Sequence, residues 1–143
     1  MRLNGCFAAM LLLLAAAGCD SGEPSAPPGI FFPTVPIGDA YPSALIGGVI
    51  EARSGCLFIS AHEESWLLLW PQGYTAQEVG GEVEVTDEDG ERVGRVGDEV
   101  RLGGGEGNPT EMGGSDAAER WASDLAGVDI PERCGDLYWL VSP

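Results

Sequence analysis

The sequence has no lysine, one histidine, and only seven arginines against 23 acidic residues. Without lysine there can be no GK[ST] phosphate loop, no Schiff base and no Ser-x-x-Lys nucleophile. A single histidine excludes the HExxH zinc site and a catalytic zinc held by three histidines. The formal net charge of −16 over 143 residues repels phosphate backbones and anionic lipid headgroups, so the composition argues against a nucleic-acid partner. No motif implies a cofactor.

Residues 1–18 combine one arginine near the start with an apolar run from Phe7 to Ala17. This run is too short to span a bilayer and is followed by small residues, which is typical of a secretory signal peptide. It ends in Ala15-Ala16-Ala17-Gly18-Cys19, which resembles the lipobox of bacterial lipoproteins, although Ala16 stands where that family prefers leucine. The resemblance implies removal of residues 1–18, a diacylglycerol thioether on Cys19 and an acylated new amino terminus. Two or more acyl chains anchor a protein stably, here on the extracytoplasmic side. The alternative is an ordinary cleaved signal in which Cys19 is incidental.

Residues 19–43 contain six prolines among glycine, serine and alanine. This composition favours polyproline II and predicts a semi-rigid tether between Cys19 and a globular domain at residues 44–143. Fully extended at ~3.1 Å per residue, the tether would lift the domain some tens of Å from the bilayer. Ile30, Phe31 and Phe32 do not fit a linker. They either dock on the domain or touch lipid.

Four cysteines are present. Cys6 leaves with the signal peptide and Cys19 carries the lipid, so Cys56 and Cys134 remain as a pair. Outside the cytoplasm such a pair predicts a disulfide, which here closes a loop of nearly eighty residues. A redox or metal-binding pair is the alternative, but no CxxC occurs and no third ligand lies nearby in the sequence.

Short apolar runs separated by glycine-rich and acidic turns predict a mainly β domain, a small antiparallel barrel or sandwich. The predicted strands are Ala44–Ile50, Cys56–Ile59, Trp66–Trp70, Val83–Val85, Val93–Val96, Val100–Leu102 and Tyr138–Val141. The run from Trp66 to Trp70 is apolar on both faces, which indicates a central strand. One helix is predicted, capped by Ser115 and ended by Gly127. A helix beside a small closed barrel is similar to the oligonucleotide/oligosaccharide-binding architecture, an analogy that implies no function.

Three runs, LLLWPQGYTA, GEVEVTDEDGERVGRVGDEVRLGGGE and CGDLYWLV, resemble a group of small uncharacterised secreted domains of high-GC bacteria. The resemblance covers most of residues 55–141. It supports the domain boundary and implies no activity.

Two acidic clusters are candidate sites. His62 with Glu63 and Glu64 offers a general base or a metal ligand. However, neighbours in an extended chain point to opposite faces, and the trio lies at a predicted hairpin tip, so a solvated turn is the alternative. The oxygens of Asp87, Asp89 and Glu91 could hold a calcium ion weakly. The spacing of these residues does not match the helix-loop-helix calcium motif, and a charged hairpin turn explains them equally.

Two glycine-containing stretches are further candidate sites. Gly103–Gly107 could form a backbone nest for an anion, but acidic residues surround it and a bent loop is the simpler interpretation. The pattern Gly113-x-Ser115-x-Ala117 nearly matches the nucleophile elbow, although helix capping explains Ser115 better.

The aromatic residues divide into core and surface candidates. Trp66 and Trp70 share a strand face with Leu68, which is core spacing. Tyr74 and Tyr138 are the candidates for an exposed platform on which a sugar or aromatic ligand could stack.

These observations favour a non-enzymatic binding or interaction module, tethered to the membrane by Cys19 in the cell envelope. Its partner would be another envelope protein, a glycan or a cation. A rival is an envelope hydrolase pairing Glu63 with a distant aspartate, which requires two carboxyl groups roughly 5–9.5 Å apart in one pocket. A third possibility is a structural lipoprotein whose acidic surface maintains solubility.

Overall fold

The computed structural model describes residues 25–39, 41–107 and 109–143. The predicted signal peptide and Cys19 lie outside these ranges. The strands are β1 (Thr34–Val35), β2 (Ala44–Arg53), β3 (Cys56–Ala61), β4 (Glu64–Pro71), β5 (Thr75–Val79), β6 (Glu82–Thr86), β7 (Arg92–Arg95), β8 (Glu99–Gly107) and β9 (Tyr138–Val141). Helices α1 (Pro109–Met112) and α2 (Ser115–Ala126) precede a 3-10 turn at Glu132–Cys134. Within the described ranges, no helix has the length and apolar character needed to cross a bilayer.

Five strands close into a barrel in the order β4-β3-β2-β8-β9, with β9 pairing back onto β4. All neighbours are antiparallel except β4 and β9, which are parallel. The prediction of a small β-barrel with a helix near the carboxyl terminus is therefore confirmed. In chain order the five barrel strands are β2, β3, β4, β8 and β9. The first (β2) pairs with the second (β3) and the fourth (β8), and the third (β4) pairs with the fifth (β9). This connectivity is similar to that of the oligonucleotide/oligosaccharide-binding architecture. The sheet β5-β6-β7 is inserted between the third and fourth barrel strands, and α2 between the fourth and fifth.

Strand β4 is buried on both faces, as its uniformly apolar sequence predicts. Trp66, Leu68 and Trp70 belong to the core inside the barrel. Leu67 and Leu69 point outward, where they pack in a second core beneath α2 with Ala118, Ala122 and Ile130. Because successive side chains of a strand point to opposite faces, β4 contributes residues to both cores.

The disulfide between Cys56 and Cys134 is present, with a Cα–Cα distance of 5.6 Å. Both cysteines are fully buried in the core beneath α2. The bond joins the start of β3 to the 3-10 turn that precedes β9, so it clasps the barrel across a sequence separation of 78 residues.

Residues 25–39, here called the strap, lie against one end of the barrel and do not extend from it as a free tether. Phe32 stacks on Trp70 with ring centroids 5.5 Å apart, and the Phe31 N–H donates to the Gly55 carbonyl at 2.7 Å. Strand β1 pairs in parallel with the end of β4, where Val35 is buried. The proline content alone predicts a linker, but the apolar side chains of the strap gain more by burial on the barrel. The strap therefore packs as part of the folded unit together with residues 44–143.

The sheet β5-β6-β7 covers this same end of the barrel. Ala76 and Val85 point inward and join the barrel core, whereas Thr75 and Thr86 share a hydrogen bond of 3.0 Å between their hydroxyls on the opposite face. Strand β5 was not predicted, because only Ala76 and Val79 in it are apolar.

The glycines of β8 correct the prediction of a bent loop at Gly103–Gly107, because this segment is a barrel strand. A Cβ atom at Gly105 would strike Pro42, and one at Gly107 would strike the Trp121 ring. These neighbours approach the strand so closely that only hydrogen fits. The glycine run therefore reflects close packing rather than flexibility.

Helix α2 ends as predicted, with Gly127 in the left-handed conformation (φ 66°). Its start differs from the prediction. Gly114 is the residue at the N-cap, without a side-chain cap, and Ser115 instead donates its hydroxyl to Asp136 Oδ2 at 2.8 Å. Ser115 therefore links α2 to the segment before β9 and does not cap the helix.

Candidate functional site

An open concavity of about 460 Å³, here called the β2 groove, lies between the end of β2 and the turn that joins β7 to β8. Its lining consists of Val49, Ile50, Glu51, Ala52, Arg53, Val96 and Gly97. The floor is mostly aliphatic, and one carboxylate and one guanidinium border it. This is the composition expected of a binding site, in which apolar contact supplies affinity and a few polar groups orient the ligand.

The groove exists because β8 separates from β2 partway along its length. The last paired residues are Val49 and Glu99. Beyond them, the Ile50 N–H donates to the Asp98 carbonyl at 3.0 Å, and the Gly97 N–H donates to the Ile50 carbonyl at 2.8 Å. The tight turn at Gly97 then carries the chain away from the β2 edge.

The separation leaves a short free strand edge. Since Ile50 directs its N–H and C=O toward the β8 side, Ala52, two residues on, directs its own toward the same side. Ala52 pairs with Leu57 of β3 on its other side and is exposed. Within the described residues, no strand pairs with Ala52 on the groove side. A backbone donor and a backbone acceptor therefore face the groove together.

Side chains hold the charged border in place. The Arg53 guanidinium lies 4.6 Å above the centroid of the Phe58 ring, and Arg53 Nε is 3.5 Å from Glu51 Oε2. The Ser60 hydroxyl donates to the same Glu51 oxygen at 2.8 Å and lies 2.9 Å from the Ser65 hydroxyl. Stacking and ion pairing reduce the freedom of Arg53, so its remaining N–H donors are preorganised for a ligand.

His62 and Glu63 form the two-residue turn between β3 and β4, both with positive φ (50° and 71°). Both residues are exposed, as is Glu64 at the start of β4. An exposed position in a hairpin turn is what the interpretation of His62, Glu63 and Glu64 as a solvated turn predicts. Among the described residues, no group of three or more histidine, cysteine, aspartate or glutamate side chains is placed to hold a metal ion.

The acidic turn at Asp87–Glu91 has its own internal bonding. Asp87 Oδ1 accepts the N–H groups of Asp89 at 3.0 Å and of Glu91 at 2.8 Å. One carboxylate oxygen is thus already used to shape the turn.

Tyr74 and Tyr138 do not form an exposed platform, and that prediction is wrong. Tyr74 is only 8% exposed and belongs to the barrel core, with its ring centroid 6.2 Å from that of Trp70. Tyr138 is 0% exposed, and its hydroxyl donates to the Gly135 carbonyl at 3.1 Å. The position of Tyr138 near the disulfide and a turn favoured exposure, but Tyr138 packs with α2 residues in the core beneath that helix.

The burial of Tyr138 predicts a stability change in alkali. Desolvation, together with the nearby charges of Glu119 and Asp136, raises the pKa of Tyr138 from 10.0 to about 12. The unfolded chain loses this proton from about pH 10 upward, whereas the folded chain keeps it to about pH 12. Stability is therefore fully present below pH 10 and falls by about 2 kcal/mol as pH rises through this interval.

Urea unfolding of the wild type and of Tyr138→Phe at a series of pH values measures this effect. At neutral pH the free energy of unfolding of the variant should be lower by about 1 kcal/mol, because the hydrogen bond from the Tyr138 hydroxyl is absent. In alkali we expect the free energy of unfolding of the variant to fall less steeply than that of the wild type. Parallel declines in the two proteins would contradict the assignment. The pKa of Tyr74 is raised by burial as well, and this contribution is common to both proteins.

The groove was not expected from the sequence, because the first predicted strand ends at Ile50. One signal could have extended it. Ser54-Gly55 is a two-residue hairpin turn with positive φ at both positions, so the strand before it must continue to Arg53.

The geometry therefore gives an open groove with a free backbone edge and one fixed arginine. Compared with protein-family models, curated proteins and solved structures, the chain matches none.

Proposed function

We propose that this protein is a lipid-anchored, non-enzymatic interaction module of the bacterial cell envelope, which binds an extended segment of another envelope protein in the β2 groove. The observation that carries the choice of partner is the free edge at Ala52, which faces an open apolar groove. A backbone donor and acceptor side by side are what a strand of another polypeptide pairs with.

The remaining groove residues fit the same partner. Val49 and Val96 offer aliphatic surface to alternate side chains of an added strand. Arg53 can donate charge-assisted hydrogen bonds to a carbonyl or carboxylate of the partner. Glu51 is the one carboxylate in the lining and already accepts a bond from Ser60, so its arrangement serves to position Arg53.

The membrane anchor rests on residues 15–19 and their resemblance to the lipobox. The expected result is that Cys19→Ser shifts the protein from the membrane to the soluble fraction and removes the acyl mass. Retention of the variant at the membrane would contradict lipidation of Cys19. Cys6→Ser is the matched control, because Cys6 lies in the part of the signal that is removed and its loss should change neither readout.

The groove is tested by photo-crosslinking in intact cells from a probe residue placed at Val96. We expect an adduct with one envelope protein, mapped to one extended segment, that is absent when the probe is placed at exposed Arg101 on β8. Ala52→Pro removes the outward N–H without disturbing the β3 pairing, and edge strands tolerate proline at such positions. This substitution should abolish the adduct.

Arg53→Ala, compared with Arg101→Ala, tests the charged border in the same cells. The first substitution should weaken the adduct several-fold and the second should leave it unchanged. An adduct that survives Ala52→Pro in a folded protein would overturn strand pairing. If wall glycans or divalent cations raise the melting temperature of the pure protein in an Arg53- or Glu51-dependent way, the partner belongs to those classes instead.

A further inference from the structure

We infer that the outward face of the sheet β5-β6-β7 lies against zwitterionic lipid headgroups, so that the barrel sits directly on the bilayer. This inference rests on the proposed acylation of Cys19. It follows from the length of chain between Cys19 and the strap, and from the charge of the sheet face that this length brings to the membrane.

The strap fixes where the anchored chain meets the fold. The Ser25 carbonyl accepts the Ala76 N–H at 2.7 Å, so Ser25 lies at the outer edge of β5. Only six residue steps separate Ser25 from Cys19, and an extended chain advances at most ~3.5 Å per step. The edge of β5 is therefore within about 20 Å of the acylated residue. The spacing of several tens of Å expected for a free tether of residues 19–43 is not accessible, because the strap is docked.

Pairing partners define the outward face of the sheet. Ala76, Val85 and Gly94 are buried on the inward side. The residues that alternate with them, together with their cross-strand partners, form the outward face: Thr75, Gln77, Val79, Glu82, Glu84, Thr86, Arg92 and Arg95. Val79 is one of the large exposed hydrophobic residues, at 36% exposure.

The charges on this face nearly cancel, in contrast to the rest of the chain. Arg95 Nη2 lies 2.7 Å from Glu84 Oε2, and Arg92 lies 3.9 Å from both Glu84 Oε2 and Asp98 Oδ2. Glu82 supplies the third carboxylate, so two guanidinium groups offset two of three carboxylates. In a chain of net charge −16, a nearly neutral face with threonine hydroxyls and a glutamine amide approaches headgroups at a low electrostatic cost.

The rim of the sheet determines which lipids suit it. Glu78 of β5 is exposed, and the acidic turn Asp87–Glu91 joins β6 to β7. Anionic headgroups repel this rim, whereas zwitterionic headgroups do not. The partner surface is therefore a zwitterionic bilayer, and added anionic lipid should loosen the contact in a salt-dependent manner.

The test uses the full acylated protein in phosphatidylcholine vesicles that contain a nitroxide-headgroup lipid. A fluorophore is attached to a single added cysteine, either Gln77→Cys on the outward face or Glu63→Cys in the β3–β4 turn. Phe31 of the strap forms a β-bridge with Cys56 at the start of β3. Glu63 follows the other end of β3 and is therefore far from the strap. The native cysteines do not react, because Cys19 is a thioether and Cys56 is bonded to Cys134. We expect several-fold stronger quenching at position 77 than at position 63.

A flexible glycine-serine insertion after Ser21 serves as the second variant. It leaves the fold and the anchor intact and should reduce the difference between the two positions, since the sheet is then free to leave the surface. Equal quenching at both positions, or stronger quenching at position 63, in a protein that is acylated and vesicle-bound would overturn the orientation alone. A protein that carries no acyl mass and does not bind vesicles would instead overturn the lipid anchor on which the orientation depends.

Discussion

Replacing Cys56 and Cys134 together by alanine should lower the free energy of unfolding by about 4 kcal/mol. The bond closes a loop with a sequence separation of 78 residues, and restricting so long a loop removes much of the entropy of the unfolded chain. Such a loss corresponds to a fall of roughly 15 °C in melting temperature for a domain of this size. Denaturant unfolding of the oxidised wild type and the double variant measures it.

The control for this prediction is the wild type reduced with a thiol under denaturing conditions and then assayed in the reductant. It should lose most of the stability that the double variant loses, because both proteins lack the cross-link. Both sulfurs lie in the core beneath α2, so the alanine variant also leaves small cavities, and the reduced wild type separates that contribution. A loss below about 1 kcal/mol in both proteins would show that the unfolded chain is already restrained without the bond.

Gly104→Ala should cost at least about 3 kcal/mol and is expected to impair closure of the barrel. Gly104 has a φ of 146°, and a Cβ atom there would overlap the Leu140 carbonyl oxygen and lie 2.8 Å from Trp139 Nε1. The obstacle is the backbone of β9, the strand that closes the barrel onto β4. It cannot rotate away as a flexible side chain could, so the β8–β9 pairing must shift.

Gly47→Ala on the adjacent strand is the matched control. Its added Cβ would lie 3.7 Å from Arg101 Cγ, an ordinary contact, and Gly47 has no positive φ. Because alanine restricts the unfolded chain more than glycine does, this change should be neutral or stabilise the fold by up to about 1 kcal/mol. Equal losses for the two variants in thermal unfolding would mean that glycine matters here for a reason other than space and backbone conformation.

The features that the sequence predicted correctly are those set by local pattern or by elimination among few residues. The doubly apolar run Trp66–Trp70 can be satisfied only by a strand with cores on both sides. Gly127 is a strong helix stop because it adopts the left-handed conformation without cost. The disulfide between Cys56 and Cys134 was predicted by elimination, because the other two cysteines were expected to lie in a signal peptide and a lipobox.

The features that escaped prediction depend on contacts between distant parts of the chain. The glycines at residues 103–107 look like a loop until Pro42 and Trp121 are seen to occupy the space a side chain would need. Tyr138 looks half-exposed until α2 covers it. The β2 groove depends on where β8 separates from β2. The Ser54-Gly55 turn could have extended β2 to Arg53, but no local sequence pattern predicts the point of separation.

The strap and the disulfide together determine how the fold responds to a pull at its amino-terminal end. Force applied at the amino terminus first loads the bond between the Ser25 carbonyl and the Ala76 N–H. It then loads the stacking of Phe32 on Trp70. Peeling can proceed no further than Cys56, since the covalent link to Cys134 keeps residues 57–133 out of the line of tension. The amino-terminal segment therefore yields first under mechanical load, and most of the barrel is shielded from it.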